Sequence, residues 1–208
     1  MDIPVKRYLF LKNCAIGEIL HNWGIAVAAT TASHATYDIL ITELAPNDFP
    51  DETNIKLYTS PNIFQYAKAM NYTTYYFDGQ MLTFWGGIPD DRQYIDHWSG
   101  VNHPFDVNKW DRDKNTAQSV NRIISSSTGN FIFIFKNGNH IPYQDNFPDE
   151  AKVWQPSYVT NYKFDIPPPE RLNEVINAYD NCIKYNIDSF FQNLVSDYSA
   201  IPNNSMII

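Results

Sequence analysis

The sequence predicts an α/β fold in which a mostly parallel sheet is flanked by helices. Short β-type runs alternate with helical patterns along the chain. The run Phe-Ile-Phe-Ile-Phe at residues 131–135 is apolar on both faces, as interior parallel strands are. With 208 residues, of which 44% are hydrophobic and 15% aromatic, the chain is long enough to bury a core. We therefore expect one domain over residues 1–208.

The first half of the chain contains two β-type runs and two helical patterns. A β-type run at residues 24–30 precedes apolar residues at helical spacing in residues 37–44. Ser60 is the predicted N-cap of the next helix and Pro61 its first helical residue. The apolar face of that helix comprises Ile63, Phe64, Ala67 and Met70. Residues 72–77 are strong β-formers and stop at the turn signal Asp-Gly-Gln.

The second half contains two aromatic-rich stretches, residues 81–111 and 141–166, with no clear period. Their aromatic side chains form either the private core of a lid or a stacking platform for a sugar or lipid. Between them, residues 113–125 predict a helix that precedes the strand at 131–135. The strongest helical pattern covers residues 171–196. Its apolar positions are Leu172, Val175, Ile176, Tyr179, Ile183, Ile187, Phe190, Leu194 and Val195.

Charge and composition exclude several classes of function. A net charge of −8 argues against sequence-independent binding of nucleic acid, which needs a basic face. The chain has no apolar window of about 20 residues, so no membrane span is predicted within it. Cys14 and Cys182 are too few for a disulfide framework and lack metal-ligand spacing. They form either two reduced, buried thiols or one bridge.

Polar clusters follow three of the predicted strands, at the sheet edge where open α/β folds bind ligands. Thr36 follows the first strand at a predicted helix N-terminus, where N–H groups and the helix dipole favour an anion. Its hydroxyl could act as a nucleophile toward phosphorus or sulfur once a metal or base lowers its pKa. The alternative is an ordinary threonine N-cap.

His140 lies in the cluster after the third strand, and Gln80 in the cluster after the second. The imidazole of His140 could donate to a phosphoryl oxygen; the alternative is a loop histidine bonded to a carbonyl group. Lys136, Asn139 and Gln80 can each be ordinary polar loop residues. Because Thr36 and His140 both follow strand ends, we expect their side chains to lie within about 10 Å of each other.

Four segments, taken in order, resemble the sulfatase-like phosphoethanolamine transferases of the alkaline phosphatase superfamily, which include lipid A-modifying enzymes. They are GIAVAATTASHAT, SPNIFQYAKAMNYTTYYFDGQ, NFIFIFKNGNHIPYQDNFP and NAYDNCIKYNIDSFFQNL. The resemblance implies a zinc-dependent transfer at the periplasmic face of the inner membrane, from a phosphoethanolamine donor lipid to an envelope lipid or glycan. Thr36 matches the family's phosphorylated, zinc-ligating residue, His140 its phosphate-contacting histidine and Gln80 a substrate-binding residue.

The sequence departs from the family in two respects. Ala32 stands where the family usually has a cysteine shortly before the nucleophile. The family's acidic zinc ligand would precede Met1, and its Asp-His pair would follow residues 205–208, a predicted strand opening. We therefore expect an incomplete sulfatase-like domain that does not bind zinc tightly on its own. The alternatives are a non-catalytic binding module with this fold, or a sulfate or phosphate ester hydrolase.

Overall fold

A computed structural model describes residues 33–43, 61–80, 90–99, 108–160, 167–196, 201–202 and 204–206. The chain divides into two compact units. The strand unit comprises residues 22–103 and 128–135, and the helical unit comprises residues 1–21, 104–127 and 136–208. The prediction of a single domain stays a prediction. The strand expected at residues 24–30 lies outside the described residues.

In its described residues the strand unit has two α-helices and a parallel sheet, as the sequence predicts. Its elements are helix α1 (Ser33–Thr42), helix α2 (Ile63–Ala69), and strands β1 (Thr73–Asp78), β2 (His97–Ser99) and β3 (Asn130–Phe135). The strand order is β2-β1-β3, and β1 pairs in parallel with both neighbours. A 3₁₀ turn, Asp90–Tyr94, precedes β2.

One face of this sheet is covered by aromatic side chains from the two helices. Because β1 and β3 pair Tyr76 with Phe133, their alternate residues share a face. The Tyr76 and Phe133 rings stack with centroids 5.8 Å apart. Tyr37 of α1 and Phe64 of α2 contact both rings edge-to-face. Ile41 completes the buried core of this unit.

Helix α2 begins two residues later than the sequence pattern predicts. Asn62, not Ser60, is the N-cap: its backbone is extended, and its side-chain oxygen accepts hydrogen bonds from the N–H groups of Phe64 and Gln65. Phe64 is buried as expected, but Met70 is exposed because the helix ends before it. The Ser60-Pro61 pattern was therefore misassigned by two positions.

Strand β3 is parallel as predicted, but it is not buried on both faces. All six of its residues are half-buried, and among the described strands it has one neighbour, β1. Strand β2 was not predicted, because three residues are too few for an alternating pattern to show. Its approach to β1 is fixed by Thr74, whose buried hydroxyl donates to the carbonyl oxygen of Tyr94 at 2.6 Å and accepts from the N–H of Asp96 at 3.0 Å.

The helical unit contains the other α-helices of the described part of the chain. They are α3 (Arg112–Ser126), α4 (Leu172–Ile183) and α5 (Ser189–Leu194), with a π-helical segment, Lys184–Asp188, joining α4 to α5. Helix α3 confirms the predicted helix and buries Ala117 and Val120. The pattern over residues 171–196 is confirmed as helical but is interrupted by the π segment, which shifts the side-chain register by one residue.

The predicted apolar stripe of that long helix is only partly buried. Phe190, Leu194 and Val195 are buried, whereas Leu172 and Tyr179 are exposed. In place of the predicted positions, a mostly polar set is buried: Ala178, Asp180, Asn181, Cys182, Asn186 and Asp188. Within this set, Asn181 bonds to the backbone of Val153 and Trp154, and Asn186 bonds to the backbone of Asn146. Hydrophobic periodicity does not detect such contacts.

Two further expectations concern membranes and the chain end. None of the helices in the described parts of the chain is long and apolar enough to cross a bilayer. Residues 205–206 have no regular secondary structure, and residues 207–208 are outside the described set, so the predicted strand opening there is not tested.

Candidate functional site

Thr36 is the fourth residue of α1, which begins at Ser33. It is therefore not the N-cap of the helix, and the alternative of an ordinary capping threonine is wrong. The first N–H groups of an α-helix have no acceptor within the helix, and Thr36 directly follows the residues that carry them. Its half-buried side chain thus lies in the part of α1 where the helix dipole favours an anion.

The contacts of Tyr37 show which end of the sheet this part of α1 approaches. The Tyr37 ring lies 5.4 Å from that of Phe135, the last residue of β3, whereas Phe64 of α2 lies 5.6 Å from Phe131 near the start of the same strand. Thr36 precedes Tyr37 directly. The first turns of α1 are thus beside the carboxyl end of β3, the edge at which parallel sheets bind ligands.

Gln80 follows β1 at the same edge of the sheet. The N–H of Gly79 donates to the carbonyl oxygen of Phe135 at 2.7 Å, and the N–H of Gln80 donates to the Asp78 carboxylate at 2.9 Å. Asp78 is buried, and the sequence pattern marked it only as part of a turn. Burial raises the pKa of Tyr76 far above its usual value; the Asp78 carboxylate adds to this shift, and a hydrogen bond from Tyr37 opposes it.

His140 is exposed, and its Nδ1 atom lies 2.7 Å from the carbonyl oxygen of Ile141. Since a carbonyl oxygen can only accept, Nδ1 carries the hydrogen, and Nε2 is the acceptor of the neutral ring. The alternative of a loop histidine bonded to a carbonyl group is confirmed for Nδ1. The bond also fixes the orientation in which the ring presents Nε2.

Residues 136–142, here called the rim loop, carry His140 and are tied to α3 by Asp113. The Asp113 carboxylate accepts the N–H of Asn137 through Oδ1 and that of Gly138 through Oδ2, both at 2.8 Å. Asp113 is almost completely buried. The sequence analysis missed this residue, because its partners lie 24 and 25 positions away and an aspartate in the first turn of a helix is common.

Lys136 and Asn139 are not ordinary loop residues. The half-buried Lys136 ammonium donates to the carbonyl oxygen of Asn186 at 3.1 Å and lies 3.9 Å from Asp113. The Asn139 side-chain oxygen accepts from the Cys182 thiol at 3.2 Å. Burial raises the pKa of Cys182 to about 11, so its thiol stays protonated and can donate. Cys182 is free, and Cys14 lies outside the described residues.

The structure assigns the predicted site residues to different units. Thr36 and Gln80 belong to the strand unit, where both lie near the carboxyl edge of the sheet, and His140 belongs to the helical unit. The predicted approach of Thr36 to His140 stays a prediction. The roles of all three residues likewise stay predictions.

The described residues also show whether this part of the chain can hold a metal ion. They contain no group of three or more histidine, cysteine, aspartate or glutamate side chains arranged to hold a metal ion. Thr36 offers a single hydroxyl oxygen, and catalytic zinc in proteins generally has three protein ligands. The described part of the chain therefore does not by itself supply a zinc ligand set.

Comparison with known proteins places this geometry in a family. Residues 25–208 match the family described as Sulfatase. The crystal structure of the C-terminal periplasmic domain of EcEptC from Escherichia coli, in complex with Zn, is similar with a TM-score of 0.55 and 20% sequence identity. That match covers 79% of this chain and 44% of the other. A second crystal structure of the same domain matches with a TM-score of 0.51 and 20% identity, covering 70% and 40%. No curated protein sequence matches.

The parallel sheet and its flanking helices define a protein of the α/β class, with a fold similar to that of the solved periplasmic domain. More particularly, the chain belongs to the Sulfatase family, whose match extends over most of its length. The predicted fold class and the resemblance to sulfatase-like proteins are thus confirmed. The chain spans less than half the length of the solved domains that it resembles.

Proposed function

We propose that this chain forms part of a metal-dependent phosphoethanolamine transferase that acts on a cell-envelope lipid or glycan. The observation that carries the proposal is the position of Thr36, in the first turns of α1 and beside the carboxyl edge of the sheet, within a Sulfatase-family sequence. A hydroxyl group at a helix N-terminus lies where backbone N–H groups and the helix dipole stabilise the negative charge of a phosphoryl group.

Thr36 is proposed as the nucleophile of the first step. Its Oγ1 atom loses its proton as it bonds to the phosphorus of the donor lipid, the bond from phosphorus to the lipid oxygen breaks, and the leaving oxygen takes up a proton. In the second step a hydroxyl of the acceptor loses its proton as it attacks the same phosphorus, the bond from phosphorus to Thr36 Oγ1 breaks, and Oγ1 takes up a proton. A bound metal ion would supply the positive charge that lowers the pKa of the threonine hydroxyl.

His140 and Gln80 are proposed to bind the substrate. A protonated His140 can donate from Nε2 to a phosphoryl oxygen, because Nδ1 is already committed to the carbonyl oxygen of Ile141. Gln80 can donate and accept through its side-chain amide at the end of β1. Zinc is the metal proposed for the family site: one similar solved domain is a zinc complex, and Thr36 is one ligand by resemblance.

The test is to trap the covalent intermediate in the full-length protein. With zinc and a phosphoethanolamine donor lipid but no acceptor, mass spectrometry should find one phosphoethanolamine group on the peptide that contains Thr36. Thr36→Ala should abolish the adduct and lower transfer at least about a thousandfold. Thr36→Ser, which keeps a hydroxyl, is the matched control and should retain measurable activity.

The same experiment separates the alternatives. An ester hydrolase would release free phosphoethanolamine, phosphate or sulfate into water without transfer to a lipid or glycan acceptor. A non-catalytic module would show neither an adduct nor turnover, and Thr36→Ala would then change nothing. Either result would contradict the proposed transfer.

A further inference from the structure

The rim loop contains no helix or strand, yet its backbone is held by side chains from other segments. Ahead of His140, the buried Asp113 carboxylate accepts the N–H groups of Asn137 and Gly138, both at 2.8 Å. Gly138 has φ = +60°, a left-handed conformation that glycine adopts without steric cost. Hydrogen bonds to an ionised acceptor are about twice as strong as those between neutral groups. Asp113 therefore fixes the backbone of the rim loop ahead of His140.

On the other side of His140 the backbone is held by Asn146, which is fully buried. The Asn146 amide nitrogen donates to the carbonyl oxygens of His140 and Pro142. Its side-chain oxygen accepts from the Asn137 side chain at 3.0 Å. Asn186, in the π segment, donates to the backbone oxygen of Asn146 at 2.7 Å. One hydrogen-bonded network therefore fixes the backbone before and after His140.

The His140 ring, in contrast, is exposed to solvent. A rigid backbone beneath an exposed ring is the arrangement needed to hold a contact group ready for a ligand without reorganisation. The buried Asp113 charge carries a desolvation penalty, which its two amide donors and the Lys136 ammonium at 3.9 Å offset. Burying this charge costs free energy, and that cost is unexplained unless the geometry of the loop matters.

We infer that Asp113 is a positioning residue that acts through the rim loop to orient His140 toward the phosphoryl group. The inference rests on the proposed function, because it gives His140 a phosphate to contact. Asp113 itself touches only the loop backbone and Lys136 among the contacts described above. Its effect on the reaction should consequently pass through His140 alone.

The first measurement is amide hydrogen exchange, resolved by NMR, in the unmodified protein and in Asp113→Asn. In the unmodified protein the amides of Asn137 and Gly138 should be protected although they lie outside helices and strands. Asp113→Asn keeps the shape but replaces one acceptor oxygen with an NH₂ group. Exchange at one or both amides should accelerate about ten- to a hundredfold, and the ring resonances of His140 should shift.

Asp111→Asn is the matched control for Asp113→Asn. It makes the same change two positions earlier, at a carboxylate that accepts from the Tyr185 hydroxyl and has no bond to the rim loop. It should leave the Asn137 and Gly138 amides protected. If these amides exchange freely in the unmodified protein, the inference is wrong even where Asp113→Asn fails to fold. Equal exchange in both variants and in the unmodified protein would also overturn it.

The second measurement is a double-mutant cycle on phosphoethanolamine transfer by the full-length, zinc-loaded protein. Asp113→Asn should lower kcat about tenfold with KM little changed, and should lower it less than about twofold in a His140→Ala background. A full tenfold loss in both backgrounds would reduce Asp113 to a general structural role and overturn the inference. If His140→Ala transfers as fast as the unmodified protein, the proposed role of His140 is wrong. An orienting role of Asp113 that acts through His140 is then wrong as well. The exchange data would in that case establish only whether Asp113 holds the rim loop.

Discussion

The Lys136 ammonium lies over the face of the Phe190 ring, with its Nζ atom 3.7 Å from the ring centroid. This cation–π contact and the hydrogen bond to Asn186 both favour the charged form of the lysine. Burial opposes them and prevails, so that the pKa of Lys136 is lowered from 10.5 to about 8, a shift that the nearby Asp113 carboxylate offsets only in part.

This lowered pKa predicts how stability depends on pH. Between about pH 8 and 10.5 the folded protein has lost the Lys136 proton while the unfolded chain still holds it, so the free energy of unfolding should rise with pH across that window. Lys136→Met removes the titrating group and should remove this part of the rise. The measurement is urea unfolding of both proteins from pH 7 to 11. The difference between their free energies of unfolding isolates Lys136, because the contributions of the other titrating groups cancel. A difference that is constant with pH would contradict the prediction.

The burial of Asp188 predicts that the free energy of unfolding falls as the pH rises in the acid range, opposite to the effect of Lys136. Asp188 is buried in the π segment, and its Oδ1 atom has no hydrogen-bond partner among the described residues. Burial raises the pKa of Asp188, and the Lys184 charge opposes this shift. Between the pKa of about 3.9 in the unfolded chain and the raised pKa in the folded protein, the carboxyl group is ionised in the unfolded chain but not in the folded protein. The free energy of unfolding therefore falls as the pH rises through this range. Asp188→Asn should therefore increase the free energy of unfolding at pH 7, and this gain should vanish below about pH 4.

The control for Asp188→Asn is Asp145→Asn, because Asp145 is exposed. That change should alter the free energy of unfolding by less than about 0.5 kcal/mol at either pH. Thermal or urea unfolding at pH 7 and pH 4 decides the matter. A loss of stability at pH 7 in Asp188→Asn would show that the ionised carboxylate has a favourable partner.

Local patterns predicted the elements of this fold far better than its polar connections. Helix α3 and strand β1 were found because period and β-propensity act over consecutive residues. The N-cap was misplaced because Ser60 and Asn62 are both good caps, and only backbone geometry distinguishes them. The sequence also indicated that Thr36 begins a helix, and Thr36 lies in the first turns of α1.

The candidate site was only partly predictable for a physical reason. The sequence identifies His140 by its neighbours, Gly138 and Pro142, but the residues that hold it come from elsewhere. Asp113 acts over 24 positions and Asn186 over 40. Side-chain hydrogen bonds over such separations leave no period in the sequence, and a buried asparagine is indistinguishable there from a solvated one.

Thr74 should contribute measurably to the stability of the strand unit. Its fully buried hydroxyl is both donor to Tyr94 and acceptor from Asp96, and Thr74→Val keeps the shape while leaving both backbone groups without this partner. A loss of about 2 kcal/mol in the free energy of unfolding is expected. Thr73→Val, one residue earlier on the opposite face of β1, is the matched control and should cost less than about 0.5 kcal/mol.

Asn181 should be the costliest single asparagine to truncate in α4. Its side-chain oxygen accepts the N–H groups of Val153 and Trp154 at 2.8 and 3.0 Å, and its nitrogen donates to the Trp154 carbonyl oxygen at 2.8 Å. Asn181→Ala removes three bonds at a site that is 1% exposed, so a loss of about 3 kcal/mol is expected. Asn177→Ala, which removes one exposed bond to Pro156, should cost about 0.5 kcal/mol. Urea unfolding of both variants measures the difference, and equal losses would mean that water replaces the Asn181 bonds at no cost.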